Sequence, residues 1–387
     1  MKLLLLASPT STHTIKWAKS LAKKDVDIFI FGLSDYDKSV YENFENIKVY
    51  SLGYKRNIIM GKEGNVSKLR YLKALPAIKK IIKSYKPDIV HAHYASSYGL
   101  LGALSGFHPL IISVWGSDIF NFPRKSFLHK RLIKFNLKKA DKILSTSNIM
   151  AKETQRYTNK EIQVTPFGVD LNIFKPMKVE SIFVEKDIVV GTIKALEKKY
   201  GIDYLIRAFQ IVSSRHPRLP LRLLIVGNGS QEEDLKKLVS KLDIKNKVIF
   251  AGRIKHTEVP KYHNMLSIFL AISISNCESF GVAVIEASAC EKAVVVSNVG
   301  GLPEVVEDLK TGLVVPPKDP KKTAEMIEKL IFDQNLRKAL GKAGRQRVKK
   351  FYDWQENLQK MINIYTETIS ERNKNNNNIS FLVGISR

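Results

Sequence analysis

Short apolar runs alternate along the chain with longer stretches in which apolar residues recur at helical spacing. A continuous apolar run, without in–out alternation, is typical of a parallel strand covered on both faces. The first half holds six such runs: KLLLLA, VDIFIFG, IKVYSL, DIVHAH, LIISVWG and KILSTS. Helical spacing appears between them at Thr14–Lys24, Pro76–Lys86 and Phe127–Lys139. This alternation predicts a doubly wound α/β domain.

The alternation is interrupted once and then starts again. Residues 164–187, VTPFGVDLNIFKPMKVESIFVEKD, contain turn residues and two prolines but no helical period. Six further apolar runs follow: IVVGTI, LRLLIVGNG, KVIFAG, IFLAIS, AVVVSN and GLVVP. The sequence therefore predicts an α/β fold of two doubly wound, Rossmann-like domains that face each other across a cleft. Ligands bind at the carboxyl ends of the strands in such sheets.

Domain limits follow from the same pattern. We predict an N-terminal domain at 1–168, a linker at 169–185 and a second domain at 186–352. A C-terminal helix at 353–372 is expected to pack back on the N-terminal domain. Residues 373–387 are predicted to form a disordered tail, because their low-complexity, asparagine-rich composition is typical of disorder.

Charge adds a preference for anionic ligands. The chain of 387 residues carries 63 Lys+Arg against 37 Asp+Glu, a formal net charge of +26. Such a field attracts nucleic acid, anionic membrane or phosphorylated small molecules, unless it reflects only a solvated lysine-rich surface. The charge is spread and lacks aromatic–basic interleaving, so no nucleic-acid partner is expected. Two cysteines suggest neither a disulfide framework nor a metal site and favour the cytoplasm.

Two basic segments are candidates for a membrane surface. In RKSFLHKRLIKFNLKKADK (124–142), Leu128, Leu132 and Phe135 share one helical face, and the opposite face is basic. LPAIKKIIKSYK (75–86) has a similar pattern. Such helices can lie on an anionic surface, which would make the protein peripheral at the cytoplasmic face of a membrane. The alternative is that each apolar stripe simply covers the sheet.

The segment NCESFGVAVIEASAC (276–290) carries the candidate chemistry. A loop after a strand leads into a predicted helix whose N-terminus is Phe280-Gly281-Val282, where free backbone N–H groups can bind phosphate. Glu278 precedes this point and Glu286 follows it, and each carboxylate can accept hydrogen bonds from sugar hydroxyls. The order hydroxyl, phosphate, hydroxyl fits a nucleotide sugar. Alternatively, Glu278 is a helix-start carboxylate and Glu286 a solvated helix position.

Beyond this segment, most of the chain resembles glycosyltransferase family 4. ESFGVAVIEASACEKAVVVSNVGGLPEVV is similar to the E-x7-E region of that family, and TPFGVDLNIFKP resembles its domain linker. VVGTIKALEKKYGIDYLIRAF, LLIVGNGSQEEDLKKL, PDIVHAHYASSYGLLGAL and VWGSDIF resemble further family elements. The resemblance implies the GT-B fold and sugar transfer from a UDP- or GDP-linked donor with retention of anomeric configuration. It implies no other cofactor and no required metal.

Residue roles also follow from the resemblance. Glu278 would contact the donor sugar, the amides of Phe280, Gly281 and Val282 the diphosphate, and Glu286 the ribose. The family's arginine–lysine pair on the diphosphate is replaced by lysines of IKALEKKYG: Lys194 near the arginine position, and Lys199 or Lys198 near the lysine position. We expect Glu278, Lys194 and Lys199 to be catalytic. Arg253 and Ile254 fall where the family holds the nucleobase.

The acceptor side is assigned to the N-terminal domain. His13 lies in a loop that lacks the glycines common in the family, and it could reach a phosphate or an acceptor hydroxyl. Trp115 stands where many members have histidine, and Asp118 could accept from an acceptor hydroxyl or cap a helix. His91 and His93 share one strand face but lack a third metal ligand.

The sequence therefore predicts a retaining, metal-independent glycosyltransferase of the hexosyltransferase type. Its acceptor would be a saccharide or a lipid-linked sugar, in cell-surface polysaccharide or glycan biosynthesis. A nucleotide-sugar epimerase on the same fold is the enzymatic alternative, and a basic nucleic-acid-binding protein is the alternative from another class.

Overall fold

The computed structural model describes residues 1–54 and 71–384, with side chains described up to residue 374. The chain divides into two compact units. Unit 1 consists of Met1–Thr165 with Asn357–Arg387, and unit 2 of Pro166–Glu356.

Unit 1 contains one parallel sheet in the order β3-β2-β1-β4-β5-β6-β7. Its strands are β1 (Lys2–Leu6), β2 (Asp27–Ser34), β3 (Ile47–Tyr54), β4 (Ile89–His93), β5 (Leu110–Val114), β6 (Lys142–Ser145) and β7 (Ile162–Val164). The six predicted strands are confirmed as β1–β6. β7 was not predicted, because three half-buried residues give no continuous apolar run.

Helices connect these strands and cover the sheet. They are α1 (Thr12–Ala22), α2 (Leu75–Tyr85), α3 (Gly99–Ser105), α4 (Ser117–Phe120), α5 (Phe127–Lys139) and α6 (Asn148–Thr154). Burial explains the leucine run of the central strand β1, because Leu3, Leu4, Leu5 and Leu6 are all buried. A strand covered on both faces has no solvent-facing position.

The two basic helices use their apolar residues differently. In α2, Ile78 and Ile81 are buried, so its apolar stripe covers the core. In α5, the buried positions are Ile133, Asn136 and Leu137. The predicted apolar stripe of α5 therefore does not cover the sheet: Leu128 is 74% exposed, and Phe135 is also exposed.

Unit 2 contains a second parallel sheet, in the order β10-β9-β8-β11-β12-β13. Its strands are β8 (Ile188–Ile193), β9 (Leu221–Val226), β10 (Val248–Gly252), β11 (Ile268–Ala271), β12 (Ala293–Ser297) and β13 (Leu313–Val315). Its helices are α7 (Ile202–Arg215), α8 (Glu232–Lys241), α9 (Val259–Met265), α10 (Val282–Ala289), α11 (Leu302–Val305), α12 (Pro320–Phe332) and α13 (Gln334–Phe351). All six strands predicted here are confirmed, in the order 3-2-1-4-5-6 of Rossmann folds.

The segment predicted as a linker lies within unit 2. The Val169 N–H donates to the Tyr352 carbonyl at 2.8 Å, and the Trp354 N–H donates to the Val169 carbonyl at 3.1 Å. Phe174 is buried as well. These contacts anchor the segment to residues near the end of α13.

The last helix, α14 (Trp354–Gly384), belongs mainly to unit 1. Lys360 Nζ donates to the Val164 carbonyl at 2.9 Å, and Tyr365 is buried beside β4. Helical backbone continues through most of the segment for which the composition predicts disorder, since no glycine or proline interrupts it before Gly384. Residues 385–387 lie outside the described residues. Of the helices that the structure describes, none combines the length and hydropathy needed to cross a bilayer.

Candidate functional site

Loops at the carboxyl ends of the unit 2 strands are bonded to one another. After β8, the Leu196 N–H donates to the Asn228 carbonyl in the loop after β9, at 2.9 Å. The Ile274 N–H, after β11, donates to the Lys199 carbonyl at 2.9 Å. The Gly301 N–H, after β12, donates to the Glu278 carbonyl at 2.8 Å. Side chains on these loops are therefore held together at one edge of the sheet, where ligands bind in such folds.

Glu278 and Lys194 form an ion pair at this edge. Lys194 Nζ lies 2.9 Å from Glu278 Oε2, and the same carboxylate accepts from Ser273 Oγ at 3.2 Å. Burial lowers the pKa of Lys194, but the charge and the hydrogen bond of Glu278 oppose this, and the pKa lies above its ordinary value. Lys194 is therefore cationic. The ion pair brings together Glu278 and Lys194, two of the residues predicted to be catalytic.

Helix α10 begins at Val282, shortly after Glu278 in sequence. Its N-cap, Gly281, has φ +103°, and a Cβ there would lie 2.7 Å from Leu302 Cδ2. Phe280 is buried against Phe167 and Tyr352, with ring centroids 5.9 and 5.4 Å apart. Only backbone groups of Phe280 and Gly281 could therefore serve a ligand. The first N–H groups of a helix lack intrahelical partners and favour anions.

Glu286 is not a solvated helix position, because it is only 8% exposed. Its Oε1 lies 3.5 Å from His256 Nε2, and its Oε2 lies 3.7 Å from His263 Nε2. Burial raises the pKa of this carboxyl, but the two histidines outweigh it and hold the pKa at about 2. Glu286 is therefore an ionised acceptor for hydrogen bonds.

The two histidines were missed by the sequence reasoning. His256 lies in the turn after β10, and His263 lies on α9, fully buried. Burial lowers the pKa of His263, although Glu286 opposes this, so the ring is neutral at pH 7. Neither residue belongs to a motif with Glu286. Only the packing of α9 beside α10 reveals their proximity.

The remaining predicted donor residues lie on exposed turns. Lys198 and Lys199 are exposed, and the Lys199 ammonium lies 4.8 Å from the Tyr200 ring centroid. The Lys194 ammonium lies 4.3 Å from the same centroid. Lys199, rather than Lys198, thus shares a contact with Lys194. Arg253 and Ile254 follow β10, in the turn that leads to His256.

The predicted acceptor residues of unit 1 belong to a cluster of rings. The Trp115 ring centroid lies 4.2 Å from that of His93, 5.4 Å from that of Tyr94 and 5.7 Å from that of His13. His93 ends β4 and Tyr94 follows it, Trp115 follows β5, and His13 lies in the first turn of α1. Tyr94 was not predicted, and its φ of +71° is unusual for a non-glycine residue. Such backbone strain is often found at functional sites.

Asp118 is used within the fold. It is buried, and its two oxygens accept from the backbone N–H groups of Ala95 at 2.8 Å, Gly116 at 2.8 Å and Trp115 at 3.2 Å. Burial raises the pKa of this carboxyl, although the N–H groups oppose the shift. Asp118 does not cap α4, because the N-cap of that helix is Gly116. Its hydrogen bonds instead tie the loop after β5 to the loop after β4.

The histidine pair on β4 does not form a metal site in the part of the chain that the structure describes. His91 Nδ1 lies 2.7 Å from Tyr365 Oη, and its Nε2 lies 2.7 Å from Ser113 Oγ. Across the described ranges, no group of three potential ligands from histidine, cysteine, aspartate and glutamate is assembled.

The two parallel sheets of seven and six strands, each flanked by helices, match the architecture of GT-B structures. The fold is similar to that of Anabaena HepE, solved in complex with UDP, with a TM-score of 0.79 at 18% identity, covering 95% of this chain and all of that one. The profile described as "Glycosyl transferases group 1" matches residues 174–347, and "Glycosyl transferase 4-like" matches residues 2–147. The chain belongs to this family of glycosyltransferases, as the motifs predicted.

Two curated relatives are similar over most of their length. An uncharacterized glycosyltransferase of Methanocaldococcus jannaschii is 26% identical over 352 residues, 89% of this chain and 91% of the relative. The capsular polysaccharide biosynthesis glycosyltransferase CapM of Staphylococcus aureus is 26% identical over 370 residues, 89% of this chain and 92% of the relative.

Proposed function

We propose that this glycosyltransferase transfers a sugar from a nucleotide-sugar donor, bound by unit 2, with retention and without a required metal. The observation that carries the proposal is the ion pair of Glu278 and Lys194, 2.9 Å apart, on loops that also hold the start of α10. In this pair, the Glu278 carboxylate can accept a hydrogen bond from a sugar hydroxyl, and the Lys194 ammonium can bind a phosphate. The buried, ionised Glu286 supplies a second hydroxyl acceptor farther along the same helix.

Each residue then has a distinct task. Glu278 accepts from hydroxyls of the donor sugar, and Glu286 accepts from the ribose hydroxyls. Lys194, Lys199 and the N–H groups at the start of α10 offset charge on the diphosphate. Charge builds up there as the sugar departs, so this electrostatic contribution is expected to dominate catalysis. We keep three further residues of these loops as proposed contacts to the donor: Lys198, Arg253 and Ile254.

Retention does not need a side-chain base in unit 1. The bond from the anomeric carbon to the diphosphate oxygen breaks, and the acceptor oxygen bonds to the same face of that carbon. The departing diphosphate takes the proton of the acceptor hydroxyl. This route agrees with the burial of Asp118 under three backbone N–H groups. His13 and Trp115 are assigned to acceptor binding.

The acceptor is proposed to be a saccharide or lipid-linked sugar in cell-surface polysaccharide or glycan biosynthesis. The named role of CapM supports this assignment. The UDP in the HepE structure makes uridine nucleotides the first donors to test, before guanosine nucleotides.

Helix α5 is proposed to hold unit 1 at an anionic membrane surface. Phe127 and Leu128 are 70% and 74% exposed, and Phe135, seven residues after Leu128 on the same helix, is also exposed. The exposed Arg131, whose guanidinium lies 5.5 Å from the Phe127 ring centroid, adds charge that acidic headgroups would complement. Each basic residue near such a surface contributes about 1 kcal/mol. This would place the enzyme beside lipid-linked acceptors.

Vesicle sedimentation tests the membrane proposal. Wild-type protein should bind vesicles with acidic phospholipid and not vesicles of phosphatidylcholine alone. A Phe127→Ser, Leu128→Ser double variant should lose most of this binding, whereas Phe332→Ser, at an exposed phenylalanine of unit 2, should not. Equal binding by the double variant would overturn the proposal.

Thermal stability with a panel of nucleotides, in the presence of EDTA, tests the donor site. One nucleoside diphosphate and its sugars should raise the melting temperature, and Glu286→Ala should lose the shift. Glu278→Ala should abolish transfer without unfolding, whereas Glu233→Ala, on the surface of α8, should retain it. A salt-sensitive shift with nucleic acid and none with nucleotides would refute the proposal. A free epimer without any glycosylated acceptor would favour the epimerase.

A further inference from the structure

Tyr200 directly precedes Gly201 in the loop after β8. Its ring centroid lies 4.3 Å from the Lys194 ammonium and 4.8 Å from the Lys199 ammonium. Both distances are within the range of about 6 Å at which a cation is attracted to an aromatic ring. One half-buried ring thus contacts both lysines assigned to the diphosphate.

The main chain at Tyr200 is held in place by its neighbours. Lys198–Tyr200 form a 3-10 turn that ends at Gly201, whose φ is +61°. A Cβ at Gly201 would lie 2.1 Å from the Ile272 carbonyl oxygen, so only glycine allows the loops after β8 and β11 to approach so closely. The Ile274 N–H bond to the Lys199 carbonyl holds the same contact. Tyr200 is therefore anchored to the loop that carries Glu278.

Two ammonium groups near one point repel each other, and each needs a compensating charge or dipole. Glu278 compensates Lys194 at 2.9 Å. Lys199 is exposed, and a free lysine side chain has many rotamers to lose when it binds a phosphate. The negative face of an aromatic ring attracts an ammonium and restricts its range of positions. The Tyr200 ring supplies such a face to both lysines.

We propose that Tyr200 is a positioning residue that holds Lys194 and Lys199 together for the two phosphates of a nucleoside diphosphate. This inference rests on the proposed donor site. A lysine has a flexible stem and no bidentate geometry, whereas an arginine has a rigid fork. The Tyr200 ring partly replaces the rigidity of an arginine, because it keeps both ammonium groups near the diphosphate site before the donor binds. Less freedom is then lost on binding.

Variants of Tyr200 separate the ring from its hydroxyl and its bulk. Tyr200→Phe keeps the ring and should bind inorganic pyrophosphate and UDP within about twofold of wild type. Tyr200→Leu keeps an apolar side chain without a ring, and it should weaken both ligands by about 5- to 30-fold, as expected for two cation–ring contacts. Tyr204→Leu, a tyrosine on α7 packed against the core, is the matched control and should bind like wild type.

Calorimetric titration with pyrophosphate, UDP and uridine measures these effects. Uridine has no phosphate, so its affinity should be the same in wild type and Tyr200→Leu. A purely structural defect would weaken all three ligands. Lys199→Ala should also cost less affinity in the Tyr200→Leu background than in wild type, because the ring and the lysine act together.

The outcomes distinguish this inference from the proposed function. If Lys194→Ala weakens binding of pyrophosphate and UDP but Tyr200→Leu does not, the positioning role is wrong and the donor site stands. If Lys194→Ala and Lys199→Ala both bind these ligands like wild type, the donor site itself is wrong. Tyr200→Met replaces the leucine variant should that variant fail to melt cooperatively.

Discussion

Lowering the pH should decrease the free energy of unfolding through His91, which is buried in unit 1 between two hydroxyl groups. Its ring nitrogens each lie 2.7 Å from a hydroxyl oxygen, of Tyr365 and of Ser113. Burial lowers the pKa of His91 to about 3. In the unfolded chain the imidazole has its ordinary pKa of about 6.5. As the pH falls through 6.5, the unfolded state binds a proton that the folded state excludes, so the free energy of unfolding decreases.

The size of the effect follows from these two pKa values. Between pH 7.5 and pH 5.5, uptake by one such histidine removes about 1.4 kcal/mol from the free energy of unfolding. Burial also lowers the pKa values of His93 and His263. Both residues therefore add to the loss of stability at acid pH, in the same direction as His91. Total stabilities are only about 5–15 kcal/mol, so the loss is measurable.

Urea unfolding at pH 7.5, 6.5 and 5.5, followed by tryptophan fluorescence, provides the assay. His91→Gln cannot titrate, so its pH dependence should be smaller than that of wild type by about 1.4 kcal/mol over the two pH units, whatever its absolute stability. An unchanged pH dependence in His91→Gln would refute the reasoning.

Two further predictions concern unit 2. Glu286→Gln should raise the KM for the nucleotide sugar about tenfold or more with little change in kcat, because a hydrogen bond to a charged group is lost. Initial rates across donor concentrations measure this change. A wild-type KM would show that Glu286 does not bind the ribose. Gly281→Ala should lower the free energy of unfolding by about 1–3 kcal/mol, because alanine at φ +103° is strained and its Cβ meets Leu302. Urea unfolding measures this, and Gly252→Ala, at a positive φ with open space around it, should cost less.

The sheets were predictable because burial on both faces leaves a local signature. Strands such as Leu3–Leu6 and Val294–Val296 are buried throughout, so each had to be a continuous apolar run. The helix at Phe127–Lys139 was predicted to the residue, but its orientation was not. An apolar stripe normally faces the core, yet the residues that pack inward here are Ile133, Asn136 and Leu137. The side-chain N–H of Asn136 donates to the Ala95 carbonyl at 2.8 Å, which offsets part of the cost of burying this polar residue.

The candidate site was partly predictable for a similar reason. Glu278, Gly281 and Glu286 lie within one segment, so their spacing alone related them to one strand end and one helix start. Lys194 precedes Glu278 by 84 positions. Its 2.9 Å contact depends on β8 and β11 being neighbours in the sheet. Only the motif resemblance linked the two residues in advance.

The sequence by itself determined the alternation of strands and helices, the restart that makes two domains, and the residue types for a phosphate and two hydroxyl groups. These features are local, because periodicity and helix termini are set by neighbouring residues. The tertiary structure alone decided that His256 and His263 meet Glu286, that Asp118 is used by backbone N–H groups, and that Tyr200 contacts two lysines. Such contacts depend on which strands and helices are neighbours in space, and residues far apart in sequence carry no local sign of that proximity.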